Sequence, residues 1–289
     1  MRGHRLLGAG LILLGAVVAA TAVLGPLVTG VLRYHTSGTT LNQVMGGDAA
    51  ALAVVAPYCL VVGVLSLRGH PAAPVLALPP AVFAVYTFTQ LIVGQEYLRL
   101  PGNSERYFPL LFSGFLVGGL IAVTAWRTID APRLPAMSRR LDRLAAGVLF
   151  AVAFFLVLQH MPSLADALRD TPTRAEYVSS PTPFWLVKLM DLGIVVPAAI
   201  AAGVGAARGA AWARTPVYAI VGAYTLLGAS VAGMGITMYV NNDPDASLAV
   251  AAGFTLFALV FAWLSFVVYR PLFRPGHSGS QRTLLQRAR

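Results

Sequence analysis

The apolar stretch FWLVKLMDLGIVVP, residues 184–197, contains two charged residues, Lys188 and, three positions later, Asp191. On a helix this spacing places both side chains on one face. With a rise of ~1.5 Å per residue, Lys188 would lie roughly 7 Å and Asp191 roughly 12 Å below the outer end of a membrane-spanning helix. An ionised side chain near the bilayer centre costs ~2.5–3.5 kcal/mol on insertion scales, so it marks a functional interior by default.

The chemistry that this pair offers is reversible binding of a proton or an ion. Burial disfavours the ionised form of a carboxylate, so the hypothesis is that Asp191 exchanges a proton during transport, with Lys188 as its charge partner. The alternative is a structural clasp, in which Lys188 extends outward along its aliphatic stem and pairs with Asp191. Lysine before acid near a helix N-terminus is the less favourable order for a clasp, and this favours the functional interpretation.

Other polar residues fall in the outer halves of apolar segments, and we predict that they form an outward-opening vestibule with the Lys188–Asp191 pair. Two structural alternatives stand beside this prediction. Asp48 follows two glycines at the start of the second segment and is well explained as a helix cap. Residues at the ends of segments are explained by solvation at the membrane surface. The candidate substrate or ion pathway consists of Asp48, Gln90, Glu96, His160, Lys188 and Asp191.

Two prolines, Pro57 and Pro197, fall near the middle of apolar segments, where we predict helix kinks. Each proline frees a backbone carbonyl, and such broken helices line the substrate sites of transporters. Kinks that serve only helix packing are the alternative.

The elements that must position these residues follow from the composition. The chain is 57% hydrophobic and 11% charged, whereas a soluble domain has about a quarter charged residues. Eight segments free or nearly free of charge have about the 20 residues needed to cross a hydrocarbon core of ~30 Å. The sequence therefore predicts an all-α membrane protein with eight transmembrane helices. The segments are 6–30, 49–67, 74–95, 108–126, 144–161, 184–206, 216–239 and 247–269.

The distribution of arginine predicts the orientation in the membrane. With eight spans, fifteen arginines fall on the side of the two termini and five fall on the other side. By the positive-inside rule, both termini are cytoplasmic. A composition rich in Arg and Ala and nearly free of Lys is typical of GC-rich bacterial genomes, so the predicted location is a bacterial plasma (inner) membrane. In the alternative interpretation, residues 1–22 are a cleaved secretory signal, which would leave seven spans.

The net charge of +10 is thus a topology signal and not a sign of nucleic-acid binding. The stretch from Arg270 to Arg289 has five arginines and no acidic residue, so we expect it to rest on anionic lipid headgroups. The predicted partners are therefore the lipid bilayer and these anionic lipids, and a protein partner is left open.

A residue pattern that occurs twice in the sequence predicts two parallel four-helix repeats. In each occurrence, a proline precedes an Arg-Gly pair by eleven positions, and a Tyr-Thr pair follows in the next apolar segment. An offset of four spans preserves orientation, so the halves would be related by an axis along the membrane normal. The predicted parts are a first half 1–126, a linker 127–143, a second half 144–270 and the basic tail 271–289. The recurring residues are Pro57, Arg68-Gly69 and Tyr86-Thr87, then Pro197, Arg208-Gly209 and Tyr224-Thr225.

Many of the same residues carry a resemblance to a broad group of uncharacterised bacterial multi-pass membrane proteins. Members usually have Gly-Gln-Asp where this chain has Gly-Gly-Asp, so a role built on that glutamine does not carry over. The likeness spans most of the chain except the basic tail. Because no accepted activity attaches to the group, the resemblance implies the fold and not a function. The matching residues are Gly46-Gly47-Asp48, Pro57, Arg68-Gly69, Tyr86-Thr87, Asp191-Leu192 and Pro197.

Enzyme signatures are weak in this sequence. It contains no His-Glu-x-x-His, Gly-x-Ser-x-Gly or Cys-x-x-Cys motif, and its five histidines are scattered, so the motifs indicate no catalytic centre, metal site or cofactor. The leading interpretation is a transporter or permease for a small solute or ion. The alternatives are an accessory or scaffold subunit that docks a partner, and a membrane-embedded enzyme that acts on lipid from the outer leaflet.

Overall fold

The computed structural model describes residues 2–131, 134–135 and 137–273, with the backbone alone for Arg2 and Ala175. In this part of the chain the structure is helical, without strands, and eight helices are long and apolar enough to cross a membrane. The predicted all-α class is therefore confirmed, the eight predicted segments correspond to eight helices long enough to cross a membrane, and the chain is compatible with an integral multi-pass membrane protein. Arg133 and the tail from residue 274 onward lie outside the described residues.

The spans coincide with the predicted apolar segments, but several begin earlier or end later. A short helix, Ala175–Val178, lies in the connection between the fifth and sixth spans. The eight spans are Gly3–Leu24, Gly38–Leu67, Ala73–Val93, Ser104–Thr128, Arg139–Ala167, Pro181–Ala207, Ala211–Val240 and Leu248–Phe273.

The second and sixth spans end in the same way. Gly69 and Gly209 follow the last helical turn with positive φ values of 71° and 66°, a conformation that glycine adopts at little cost. In both, the glycine N–H bonds to the carbonyl three positions back, and the next N–H bonds to the carbonyl five positions back. These bonds are Gly69 to Ser66 and His70 to Leu65, then Gly209 to Ala206 and Ala210 to Gly205.

The same two spans also contain a π-helical segment near mid-span, Ala51–Val55 and Asp191–Val195. Pro57 or Pro197 follows each segment within two residues. In a π segment the backbone hydrogen bonds join residues five apart, where an α-helix joins residues four apart, so the turn is wider. Such segments frequently occur at functional sites. Because Asp191 is the first residue of its segment, the widened turn presents a carboxylate to the bundle.

Neighbouring spans pack in pairs: the first on the second, the third on the fourth, the fifth on the sixth and the seventh on the eighth. The seventh span also crosses the second, and the backbones of Gly46 and Gly233 touch at that crossing. A Cβ atom on either glycine would fall on the backbone of the other, so this approach requires glycine at both positions. Large apolar side chains such as Phe154, Leu256 and Phe266 are exposed on the outside of the helices, as expected for a surface that faces lipid.

The connections after the first and third spans form one polar cap around His35. Its N–H donates to Gln95 Oε1 at 2.8 Å, and its carbonyl accepts from the N–H of Glu96. Its ring nitrogens lie 2.6 Å from Leu100 O and 2.8 Å from Glu105 Oε2. Burial disfavours the charged ring, but the hydrogen bonds to Glu105 and Leu100 outweigh it and raise the pKa of His35 above its ordinary value.

We expect His35 to make the stability of this cap depend on pH. A raised pKa means that the folded protein favours the protonated ring. The stabilisation is therefore fully present below the unfolded-state pKa of about 6.5 and is lost as pH rises through the higher folded-state value. The unfolding temperature of the wild type should fall over this window relative to that of His35→Gln. A His70→Gln variant serves as the control and should keep the wild-type slope. Equal slopes for wild type and His35→Gln would contradict the assignment.

Candidate functional site

Asp191 lies inside the helix bundle and is hydrogen-bonded to two other spans. The Tyr86 hydroxyl of the third span donates to Asp191 Oδ1 at 2.8 Å, and His160 Nε2 of the fifth span lies 2.8 Å from Oδ2. The side chains of His160 and Asp191 are 7% and 13% exposed. Because a carboxylate accepts only, Nε2 carries the proton in this bond. We call Asp191, His160 and Tyr86 the polar cluster.

Two further side chains border the polar cluster. Gln90 lies one helical turn after Tyr86 and interacts with its hydroxyl. Tyr224 of the seventh span is buried and interacts electrostatically with Asp191. Its hydroxyl has no hydrogen-bond partner within the described part of the chain. A buried, unpartnered hydroxyl beside a carboxylate is a place where a ligand, an ion or water gains a hydrogen bond.

The polar cluster lies at one depth in the bundle. Asp191 is the eleventh residue of its span, so it lies roughly 15 Å from the start of the span at Pro181. His160 and Tyr86 lie roughly 10 Å from the ends of their own spans, which are on the same side of the bundle. Three different spans thus bring polar groups to one level, because connections along the chain alternate the direction of successive helices.

This arrangement can exchange a proton for another cation. The carboxylate of Asp191 accepts one hydrogen bond from the Tyr86 phenol and one from the His160 imidazole, a ring with two nitrogens that can each carry a proton. A cation that binds Asp191 competes with the His160 N–H for Oδ2. In the described ranges, no group of three or more His, Cys, Asp or Glu side chains is placed to hold a metal ion.

Lys188 is not the charge partner of Asp191, and that prediction is wrong. The Lys188 ammonium lies 2.6 Å from Glu176 Oε1, in the connection before the sixth span, and 4.0 Å from the centre of the Phe184 ring. The physical reason is the direction of helical side chains, which lean toward the helix N-terminus. Lysine on this span therefore points toward the start of the span at Pro181, away from Asp191, and is buried under the connection that supplies Glu176.

Asp48 is not a helix cap, and that alternative is also wrong. The second span begins at Gly38, where Ser37 accepts a hydrogen bond from the N–H of Thr40 and forms the cap. Asp48 is the eleventh residue of the helix and is buried. It does not join the polar cluster through any hydrogen bond that the described residues make.

Glu96 is also separate from the polar cluster. Its Oε1 accepts a hydrogen bond from the N–H of Thr182 at 2.7 Å, in the first turn of the sixth span. A carboxylate at this end of a helix satisfies an orphan N–H and complements the helix dipole. Glu96 thus anchors the sixth span. Of the six predicted pathway residues, the structure brings Asp191 and His160 together, with Gln90 beside them.

Two functional contacts were missed by sequence reasoning. The bond from Tyr86 to Asp191 had a signal, because a Tyr-Thr pair recurs in the third and seventh spans. The pairing of Glu176 with Lys188 had none, since it depends on the path of a connection. That path is fixed by Asp166, whose carboxylate accepts hydrogen bonds from the backbone N–H groups of Thr173 and Arg174.

No protein-family model, curated protein or solved structure matches this chain.

Proposed function

We propose that this protein is a transporter or permease for a small solute or ion in a bacterial plasma (inner) membrane, and that Asp191 is its coupling carboxylate. The observation that carries the proposal is the polar cluster: an aspartate inside a membrane-spanning helix, bonded to Tyr86 and His160 of two other spans. Ionisable groups in the interior of membrane helices typically mark ion pathways and proton relays.

The proposed reaction cycle uses the chemistry of the pair. In the resting state of this cycle His160 is an imidazolium, and its Nε2–H donates to the ionised Asp191 Oδ2. A cationic substrate that arrives at Asp191 displaces this ion pair, and the imidazolium releases one proton to the water on that side and becomes neutral. The Tyr224 hydroxyl, which has no hydrogen-bond partner among the described residues, supplies a further group for the substrate. When the substrate leaves on the other side, His160 takes up a proton from that side and pairs with Asp191 again.

The proposed access path from outside passes Lys188. Its ammonium is buried one turn nearer the outer end than Asp191, whereas its partner Glu176 is largely exposed, with a side chain 54% accessible. The ion pair therefore lies between external water and the polar cluster. Opening this path requires that the pair separate, and because Lys188 is buried its ammonium must then be hydrated or paired again.

The mid-span π segments support the repeat as part of this proposal. In both the second and sixth spans, the first residue of the π segment lies six positions before a proline. A glycine with positive φ follows the end of each of these two spans. Tyr86 and Tyr224, the recurring tyrosines, also interact with each other electrostatically. We propose that the halves 1–126 and 144–270, joined by the linker 127–143, are parallel repeats and that the two tyrosines lie near their common axis.

The orientation completes the proposal. With both termini cytoplasmic, the end of the sixth span at Pro181 faces outward and the polar cluster lies in the outer half of the membrane. The basic tail 271–289 would then lie against anionic lipid on the cytoplasmic side. If the polar cluster only docks a partner protein, or acts on lipid, transport assays would show no protein-dependent flux.

Transport is tested with purified protein in liposomes that contain a pH-sensitive dye. A panel of probes is added outside: monovalent cations, amino acids, carboxylates and sugars. We expect at least one probe to produce a change of internal pH that protein-free liposomes do not show. A panel without any protein-dependent change, in vesicles with folded protein of both orientations, would contradict the proposal.

A further inference from the structure

Asp48 carries a second, independent feature in the outer half of the bundle. The residue is 7% exposed, and its Oδ2 has no hydrogen-bond partner among the residues that the structure describes. A buried carboxylate without a partner is strongly unfavourable within a membrane helix. The described residues supply neither a cation nor a donor to this oxygen, so a bound species from solution is the simplest means of satisfying it.

Backbone oxygens at the end of the first span lie close to Asp48. A methyl group built on Gly25 would lie 2.5 Å from Asp48 Oδ2, 3.1 Å from Thr21 O and 3.4 Å from Ala22 O. Thr21 O accepts a hydrogen bond from the Gly25 N–H at 2.9 Å. The carbonyl of Ala22 lacks its usual helical donor, because the residue four positions later is Pro26, which has no N–H. The three oxygens therefore lie close together around Gly25, where a side chain larger than hydrogen would collide with Asp48 Oδ2.

Two hydroxyl groups in the same part of the chain also lack partners. Thr21 and Tyr34 are buried, and neither hydroxyl has a hydrogen-bond partner in the described ranges. Burial, and after it the negative charge of Asp48, raise the pKa of the Tyr34 hydroxyl well above its usual range. The phenol thus stays neutral beside the carboxylate, where its oxygen is a neutral ligand or its O–H a donor.

We propose that Asp48, together with the carbonyl oxygens of Thr21 and Ala22, forms a binding site for a small monovalent cation such as sodium. All of these ligands are oxygen, which hard cations prefer. A single carboxylate neutralises one positive charge, whereas calcium sites use several. The carbonyl end of the first helix adds partial negative charge, and carbonyls at such ends coordinate sodium in transporters with broken helices.

This site goes beyond the proposed transport function and does not depend on it. It is built by the first two spans and the connection between them, whereas the polar cluster uses the third, fifth and sixth spans. Cation binding at Asp48 is measured without any transport assay, so failure of one proposal leaves the other standing.

The test is thermal unfolding of the purified full chain in detergent, with sodium chloride titrated against choline chloride at constant ionic strength. We expect sodium to raise the unfolding temperature of the wild type in a saturable way and Asp48→Asn to lose this shift. Asp142→Asn, a carboxylate in the first turn of the fifth span, is the matched control and should keep it. Should Asp48→Asn not fold, Gly25→Ala takes its place, because the added methyl presses on Asp48 Oδ2.

Two results would overturn the site. One is a sodium shift of the same size in wild type and Asp48→Asn, which would place the effect elsewhere. The other is a wild type that responds to pH but not to sodium, which would mean that Asp48 holds a proton. A titration with lithium and potassium then orders the cations by size, and a response to calcium alone would also contradict a monovalent site.

Discussion

Asp191→Asn should reduce probe-driven proton movement in liposomes to the level of protein-free vesicles. Asparagine has the shape of aspartate and retains an oxygen acceptor, but it cannot bind a proton or neutralise a cation. The change removes about one charge-assisted hydrogen bond, so we expect a stability loss on the order of 1–3 kcal/mol and a folded protein. This variant would thus lose transport activity while it remains folded.

The matched control for this variant is Asp142→Asn, which removes a carboxylate from the first turn of the fifth span, far along the helix from His160. It should retain the wild-type flux. If the Asp191 variant keeps wild-type flux for every active probe, Asp191 is a structural residue and the polar cluster is not the coupling site.

Gly233→Ala should lower the unfolding temperature strongly, because the second and seventh spans meet there through their backbones. The new Cβ atom would fall on the backbone of Gly46, which cannot rotate away as a flexible side chain does. Overpacking of this kind costs ~1–3 kcal/mol, and more where backbone must move. Gly46→Ala should have a similar effect from the opposite side of the contact.

Gly253→Ala and Gly119→Ala are the controls for this prediction. Both glycines lie within helices, and a Cβ atom on either has open space around it. Alanine should leave the unfolding temperature unchanged or raise it, since alanine favours a helix by about 1 kcal/mol over glycine. If Gly233→Ala and Gly253→Ala lowered the unfolding temperature by similar amounts, the close approach of the second and seventh spans would not be the cause.

Much of the fold was predictable because lipid imposes simple rules on a sequence. Segments of about 20 apolar residues must be helices, and the eight that the sequence contains are the eight spans observed. The limits of the spans were less predictable. Polar turns at helix ends extend beyond the lipid, as where the second span begins at Gly38, eleven residues before its apolar segment. That shift is the reason that Asp48 is buried in mid-helix and does not cap the span.

The candidate site was predictable in part, for a similar reason. A charge at membrane depth must face the interior, and Asp191 does so, bonded to His160. Its other partners depend on which helices touch, and periodicity does not reveal that. Lys188 shows the limit: spacing on the helix allowed a bond to Asp191, but a connection with no regular pattern supplied Glu176 instead.

Uptake and release of a proton or cation by Asp191 across the membrane is tested most directly by electrical recording. Liposomes with the purified protein are adsorbed on a solid-supported membrane and exposed to a rapid change of pH. We expect a transient charge displacement in wild type that is absent in Asp191→Asn and retained in Asp142→Asn. A wild-type protein without any displacement, or an equal signal in Asp191→Asn, would contradict it.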